Sequence, residues 1–183
     1  MIWGILGTIV ALAVVIIIIY NRLVAKRQMV DNGWSDIDVQ LKRRADLIPR
    51  LVDTVKGYAS HEREAFDDVI RARTQALSAG DDVNARGSAE GAVARQTTRL
   101  IALAEDYPEL KASNNFLNLQ TELSETEDKI EFARRFYNGA VRELNTTVES
   151  FPNNLIAGPF GFTQRPYFEI DERDRAVPVV ELT

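Results

Sequence analysis

Residues 1–20 contain no charged side chain, and 17 of these 20 residues are hydrophobic. As an α-helix, the segment would extend about 30 Å, which matches the hydrocarbon core of a bilayer. Trp3 and Tyr20 lie near its two ends, where aromatic rings favour the membrane interface. The alternative is a cleavable signal peptide, with Ala11-Leu12-Ala13 as its small-residue site. Because no basic side chain precedes Arg22, we predict an uncleaved transmembrane anchor.

The basic residues that follow the anchor predict its orientation. Three of them lie within seven residues of its end. Basic flanks are retained on the cytoplasmic side, so we expect the N-terminus outside and residues 21–183 in the cytoplasm. The opposite orientation, with these residues in the periplasm, is the alternative. The side chains that we assign to the membrane interface are Trp3, Tyr20, Arg22, Lys26 and Arg27.

The absence of cysteine and the single histidine restrict the possible chemistry. They exclude disulfides, thiolate metal sites, a cysteine nucleophile and any site that needs two imidazoles from one chain. His61-Glu62 begins like the zinc-protease motif, but Ala65 occupies the position of the second histidine. Phosphate-binding glycine loops are also absent. We therefore expect no metal, no cofactor and no enzymatic activity.

One acidic run qualifies that expectation. It is the densest in the chain and comprises Glu122, Glu125, Glu127, Asp128 and Glu131. Such a run is most simply a solvated helix face with ion pairs, and a weak divalent-cation site is the alternative. A minor alternative is an enzyme with carboxylate chemistry, although the sequence does not show which two carboxylates would face each other across an active site.

Helical periodicity dominates the residues after the anchor. From Phe116 to Phe151, alternating steps of three and four residues meet only apolar side chains or threonine over five heptads, which is typical of a long helix with one coiled-coil-like seam. We predict helices near 2–48, 49–79, 88–106 and 112–150. Pro49 should kink or interrupt the helix near Ile48, and Gly80-Asp81-Asp82 should end the second helix. Asn32-Gly33 weakens the first helix, and we interpret Gly139 as a tolerated glycine at a close helix contact.

The predicted fold is therefore all-α. It is an elongated antiparallel helical bundle of four-helix type at residues 21–151, with the transmembrane helix at 1–20 before it. Six proline and glycine residues between Pro152 and Pro178 predict an extended C-terminal tail at 152–183. The tail is rich in aromatic and aliphatic side chains, which favours packing on the bundle, with short extended pieces, over disorder.

A basic cluster, Lys42-Arg43-Arg44, lies in the stem that follows the anchor. Residues 21–60 carry eight basic and five acidic side chains, whereas residues 61–183 carry 14 and 22. This distribution suits an anionic membrane surface better than a nucleic acid. Lys42 would lie about 33 Å beyond the anchor in a straight helix, however, so contact with a partner or simple solvation is favoured over lipid contact. Together with Trp34, which is most simply core packing, these residues form our candidate partner surface.

Several long blocks of the sequence resemble the LemA family. The resembling residues are 20–24, 34–62, 104–130 and 136–162, among them WSDIDVQLKRRADLIPRLVDTVKGYASHE and FYNGAVRELNTTVESFPNNLIAGPFGF. The resemblance implies a bacterial single-pass protein of the plasma (inner) membrane with an antiparallel helical-bundle domain. It implies no reaction. One branch of the family is tied to intracellular membrane compartments, which favours a membrane-organising role.

Two functions follow as hypotheses. In the first, the protein is a membrane-anchored scaffold that self-associates as a homo-oligomer to organise or remodel the bilayer. In the second, it is an adaptor that docks a membrane protease, a transporter or another membrane partner. We expect the lipid bilayer as a partner in both cases, and no nucleic acid.

Overall fold

The computed structural model describes residues 1–170, and every regular element within them is helical. A 3₁₀ turn at Ala104–Asp106 precedes the short helix α4. The helices are α1 (Ile2–Lys56), α2 (Arg63–Ser78), α3 (Val83–Leu103), α4 (Pro108–Lys111), α5 (Asn114–Glu149) and α6 (Asn154–Ala157). The all-α prediction is confirmed, while the antiparallel four-helix arrangement stays a prediction. Val177, Pro178, Val179 and Val180 of the predicted tail lie outside the described residues.

The chain divides into two compact units. The first unit comprises Met1–Gln40 and Asp128–Tyr167, and the second comprises Leu41–Glu127 together with the described residues from Phe168 onward. Helices α1 and α5 each contribute residues to both units. The predicted division into an anchor at 1–20, a bundle domain at 21–151 and a tail at 152–183 stays a prediction.

The apolar core of the second unit is built by parts of five helices. The end of α1, the short helix α4, helices α2 and α3, and the beginning of α5 all contribute buried side chains to it. Leu51, Val69, Leu100 and Leu110 are completely inaccessible to solvent. Burial of a large aliphatic side chain is worth about 1.5–3 kcal/mol, so this core supplies a major part of the stability of the unit.

The predicted break at Pro49 is wrong, because α1 continues through it to Lys56. A proline has no backbone N–H, so the carbonyl oxygen of Ala45, four residues earlier, loses its usual donor. In the structure, Arg73 Nε of α2 donates to that oxygen at 2.6 Å. The arginine replaces the missing hydrogen bond, and Ile48 and Leu51 on either side stay buried in the core.

The turn between α2 and α3 follows the prediction at one end only. Gly80 adopts a φ of 63°, in the left-handed region that favours glycine, and α2 ends before it as predicted. Helix α3 begins at Val83, five residues earlier than predicted. Asp82 caps it by accepting a hydrogen bond from the backbone N–H of Ala85 at 2.8 Å.

Helix α5 confirms the predicted seam. Ten of the eleven seam positions are buried, and only Phe151, which lies beyond the end of the helix, is exposed. The buried seam residues are Phe116, Leu119, Leu123, Thr126, Ile130, Ala133, Tyr137, Ala140, Leu144 and Thr147. A strict heptad pattern thus corresponds to one continuous buried face.

The close helix contact lies at Gly33, and the one interpreted at Gly139 is not found. A Cβ atom on Gly33 would lie 3.1 Å from Tyr137 Cα and 3.2 Å from the Phe136 ring, whereas one on Gly139 would meet nothing within 4 Å. The missing side chain at Gly33 therefore lets α1 approach α5 within the first unit. Both glycines lie inside unbroken helices, so neither Asn-Gly dipeptide forms a turn.

Candidate membrane-boundary site

Helix α1 carries the apolar segment that begins the chain. It is the one helix in the described part of the chain that is long and apolar enough to cross a membrane. Its most apolar 18-residue window has a mean hydropathy of 2.9, and none of that window is buried within the chain. Trp3 near the beginning is 84% exposed. This is the character of a membrane span rather than of a core helix.

Aromatic side chains from the C-terminal segment meet α1 where its uncharged stretch ends. The ring of Tyr20 lies 5.2 Å from that of Phe160 and 5.6 Å from that of Phe162, both in edge-on geometry. The guanidinium of Arg27 lies 5.0 Å from the Phe162 ring centre. Edge-on ring pairs and cation–π contacts are each worth about 0.5–1.5 kcal/mol beyond burial. We call Tyr20, Arg27, Phe160 and Phe162 the boundary cluster.

A small apolar core supports the boundary cluster. Ile19 and Leu23 of α1 pack against Ala157 of α6 and against Phe162. Leu23 is fully buried, and Phe162 is 4% exposed. Ile19 and Leu23 are one helical turn apart and therefore present one stripe of α1 to the C-terminal segment.

Two of the three basic residues after the anchor are engaged within the chain. Lys26 forms an ion pair and hydrogen bond with Glu143 of α5. That hydrogen bond, followed by the charge of Lys26, lowers the pKa of the Glu143 carboxyl. Arg27 stacks on Phe162, as described above, and Arg22 is exposed. Of the predicted interface residues, Tyr20 and Arg27 belong to the boundary cluster, and Lys26 links α1 to α5.

Polar contacts hold the chain that follows the boundary cluster. The Asn145 side chain donates to the carbonyl oxygen of Arg165 at 3.0 Å and accepts from its backbone N–H at 2.9 Å. The Tyr137 hydroxyl donates to the carbonyl oxygen of Pro166 at 2.9 Å. Arg165 also pairs with Asp31 of α1 at 3.2 Å. Side chains of α5 thus supply hydrogen-bond partners for backbone groups of Arg165 and Pro166, in a segment without regular secondary structure.

The pKa of the Tyr137 hydroxyl is raised from its ordinary value. Burial is the main cause; Asp31 adds to the increase, and Arg165 opposes it. The hydroxyl therefore remains protonated and able to donate to Pro166. The ring of Tyr137 also packs on Trp34, with 5.6 Å between ring centres. Trp34 is half-buried, which agrees with core packing as the simplest interpretation of this residue.

The structure separates the residues of the candidate partner surface. Trp34 belongs to the first unit, and the basic cluster belongs to the second. Lys42 and Arg43 are exposed, but Arg44 is fully buried, so we remove it from the candidate surface. The helical spacing of the sequence already placed Arg44 on the buried face, because it lies three residues after Leu41 and four before Ile48, both of which are buried.

Arg44 is the centre of a buried ion-pair network in the second unit. It pairs with Glu90 of α3 and, at 2.7 Å, with Glu127 of α5. Arg44 also donates to the Glu90 carbonyl oxygen at 3.1 Å, and Arg86 donates to the Glu90 carboxylate at 2.9 Å. Burial lowers the pKa of Arg44, but Glu127 and Glu90 outweigh it, so the pKa is raised overall. The buried guanidinium is therefore charged.

The predicted acidic run is engaged by arginines at three of its positions. Glu127 pairs with Arg44, as described above, while Glu122 faces Arg50 at 3.6 Å and Glu131 faces Arg135 at 3.8 Å. Within residues 1–170, no group of three or more histidine, aspartate or glutamate side chains is arranged to hold a metal ion. His61 is exposed in the turn before α2.

Comparison with known proteins adds a family match. A family model described as LemA family matches residues 33–182. The chain is 25% identical over 187 residues to magnetosome protein MamQ 2 of Paramagnetospirillum magneticum, covering 88% of this chain and 69% of that protein. It is 26% identical over 155 residues to protein LemA of Metamycoplasma hominis, and the match covers 85% of this chain and 71% of that protein. It is 22% identical to MamQ of Magnetospirillum gryphiswaldense, covering 88% and 68%.

Loss of the Arg44 guanidinium should destabilise the protein strongly. The change Arg44→Met leaves Glu90 without one of its two partners in a buried site, and breaking a buried pair in this way costs about 3–5 kcal/mol. The matched control is Arg43→Met, which removes an exposed guanidinium and should change the stability by less than about 0.5 kcal/mol. Chemical denaturation of the full-length protein in mild detergent, followed by circular dichroism, measures both. Equal midpoints for the two variants would contradict the role assigned to Arg44.

Proposed function

The chain belongs to the LemA family, and we propose that it is a single-pass membrane-anchored helical scaffold that self-associates to organise the bilayer. The observation that carries the proposal is a pair of exposed aromatic rings on α5. Phe132 is 68% exposed and Phe136 is 44% exposed. Four residues apart, they share one face of the helix. We call this pair the α5 patch.

A second copy of the chain is the occupant that suits the α5 patch. Charges of opposite sign flank the rings at nearly one height, with Asp128 and Lys129 one helical turn before Phe132. When the same patch of two copies meets around a two-fold axis, opposite charges can pair around the buried rings. Fully burying a phenylalanine side chain is worth about 1.5–3 kcal/mol, so four rings supply a useful contact energy.

Membrane confinement strengthens a contact of this size. Chains that share one anchor orientation meet at high effective concentration, so a modest contact suffices for assembly. The relatives named magnetosome proteins also agree with the membrane-organising role that the family resemblance implies. The adaptor function competes for the same exposed surfaces, and no single contact favours it.

A charge on the α5 patch should disrupt self-association. In mild detergent, the full-length protein should have the mass of an oligomer, and Phe132→Glu should shift it toward the monomer because an unpaired charge would then lie in the contact. The matched control is Leu77→Glu, which changes an exposed apolar residue of α2 and should leave the mass unchanged. Light scattering coupled to size-exclusion chromatography measures the masses of the wild-type protein and of both variants. A monomeric wild-type protein over a wide concentration range would exclude self-assembly and leave the adaptor function.

We further propose that the anchor lies in the bacterial inner membrane with its N-terminus outside. Basic residues Arg22, Lys26 and Arg27 directly after the span support this orientation. Alkaline phosphatase is active only outside the cytoplasm, so a fusion after Thr183 should be inactive, while a cytoplasmic reporter at the same point should be active. The reverse pair of results would contradict the proposed orientation.

A further inference from the structure

The chain contains a second long segment without charge. Residues 150–164 contain no acidic or basic side chain, and no other stretch after residue 21 is uncharged for as long. The segment begins at the end of α5 and includes α6. A surface segment of this length in a protein with 27% charged residues needs a physical explanation.

The segment lies beside the last turn of the membrane span. Ala157 and Phe162 pack on Ile19 and Leu23 of α1, and Phe160 contacts Tyr20 with 5.2 Å between ring centres. Tyr20 is the residue at which the anchor reaches the interface. Phe160 therefore lies at the depth where tyrosine and tryptophan rings meet the lipid headgroups.

Three large apolar side chains of the segment are exposed. Phe151 is 78% exposed, Leu155 is 62% exposed and Phe160 is 53% exposed. We call these three residues the tail patch. The segment thus packs on α1 through Ala157 and Phe162, while these three apolar side chains stay exposed within the described chain.

We propose that the tail patch inserts into the boundary between lipid headgroups and acyl chains, as a second membrane contact besides the anchor. The occupant is lipid because the patch adjoins the span at the height of Tyr20 and has no charge of its own. Exposed Arg22, two residues after Tyr20, supplies a cation for lipid phosphates at that depth. Apolar side chains beneath a basic residue are the usual arrangement of an interfacial membrane segment.

This contact sets the depth of the anchor. A single span can slide or tilt by several ångströms at small cost. The tail patch is held to α1 by the boundary cluster and to α5 by the chain itself, so any sliding would move three apolar side chains into water. The end of α5 is thereby fixed at the membrane surface. The inference is independent of self-association through the α5 patch.

Fluorescent labels on single cysteines test the proposal, since the described chain has no cysteine of its own. Leu155→Cys places an environment-sensitive NBD label on the tail patch, and Leu77→Cys places one on an exposed apolar position of α2 as the matched control. Both full-length variants are reconstituted into vesicles of phosphatidylcholine and phosphatidylglycerol, with and without lipids that carry a quencher near the headgroup. Circular dichroism verifies that each retains the helical content of the wild type.

The label at position 155 should emit at a shorter wavelength than the one at 77, and the lipid quencher should reduce its emission severalfold more. Emission at 155 equal to that at 77, with no lipid quenching, would overturn the proposal. Shielding from aqueous iodide without lipid quenching would also overturn it, because a second protein chain would then cover the patch. A label at Phe151→Cys should repeat the result at 155.

Discussion

Inside a bilayer, a backbone N–H or carbonyl without a partner costs several kcal/mol, so a single span must be a helix. In this protein the helix does not end with the apolar segment but continues to Lys56. Its later residues, from Leu47 to Val55, form part of the core of the second unit. The proposed span therefore requires a helix over the first 20 residues, and packing within the chain stabilises the next 36 residues of the same helix.

Continuity of α1 depends on polar side chains from elsewhere in the chain. Arg73 donates to the carbonyl oxygen that Pro49 leaves without a donor, and Glu90 with Glu127 neutralises the buried charge of Arg44. Each arrangement compensates for a residue that a buried helix would not normally contain. Within the first unit, Gly33 removes the side chain that would hold α1 away from Tyr137. The chain from Phe160 to Pro166 then packs on the same pair of helices.

Sequence periodicity predicted the features that depend on neighbouring residues. The apolar anchor and the seam of α5 are both set by local spacing, and the Gly80 stop is set by a single residue. Pro49 was predicted to kink or interrupt the helix because it lacks a backbone N–H. The helix continues because Arg73, 24 residues later, supplies the missing hydrogen bond, which no local pattern reveals. Arg44 was placed on a surface because it directly follows two other basic residues, although its spacing from Leu41 and Ile48 puts it on the buried face. The contacts of Asn145 and Tyr137 with the C-terminal segment have no periodic signal, because that segment has no regular structure.

One unbroken helix leads from the apolar segment to Lys56, and a distance measured across Asn32-Gly33 tests this continuity. Spin labels at Arg22→Cys and Asp36→Cys, both exposed positions of α1 in the first unit, are separated by 14 residues. In a continuous helix, their Cα atoms lie about 21 Å apart. Double electron–electron resonance on the protein in lipid vesicles should give one narrow distribution around that separation, widened only by the label side chains. A broad or two-component distribution would show a hinge between anchor and domain and would contradict the account.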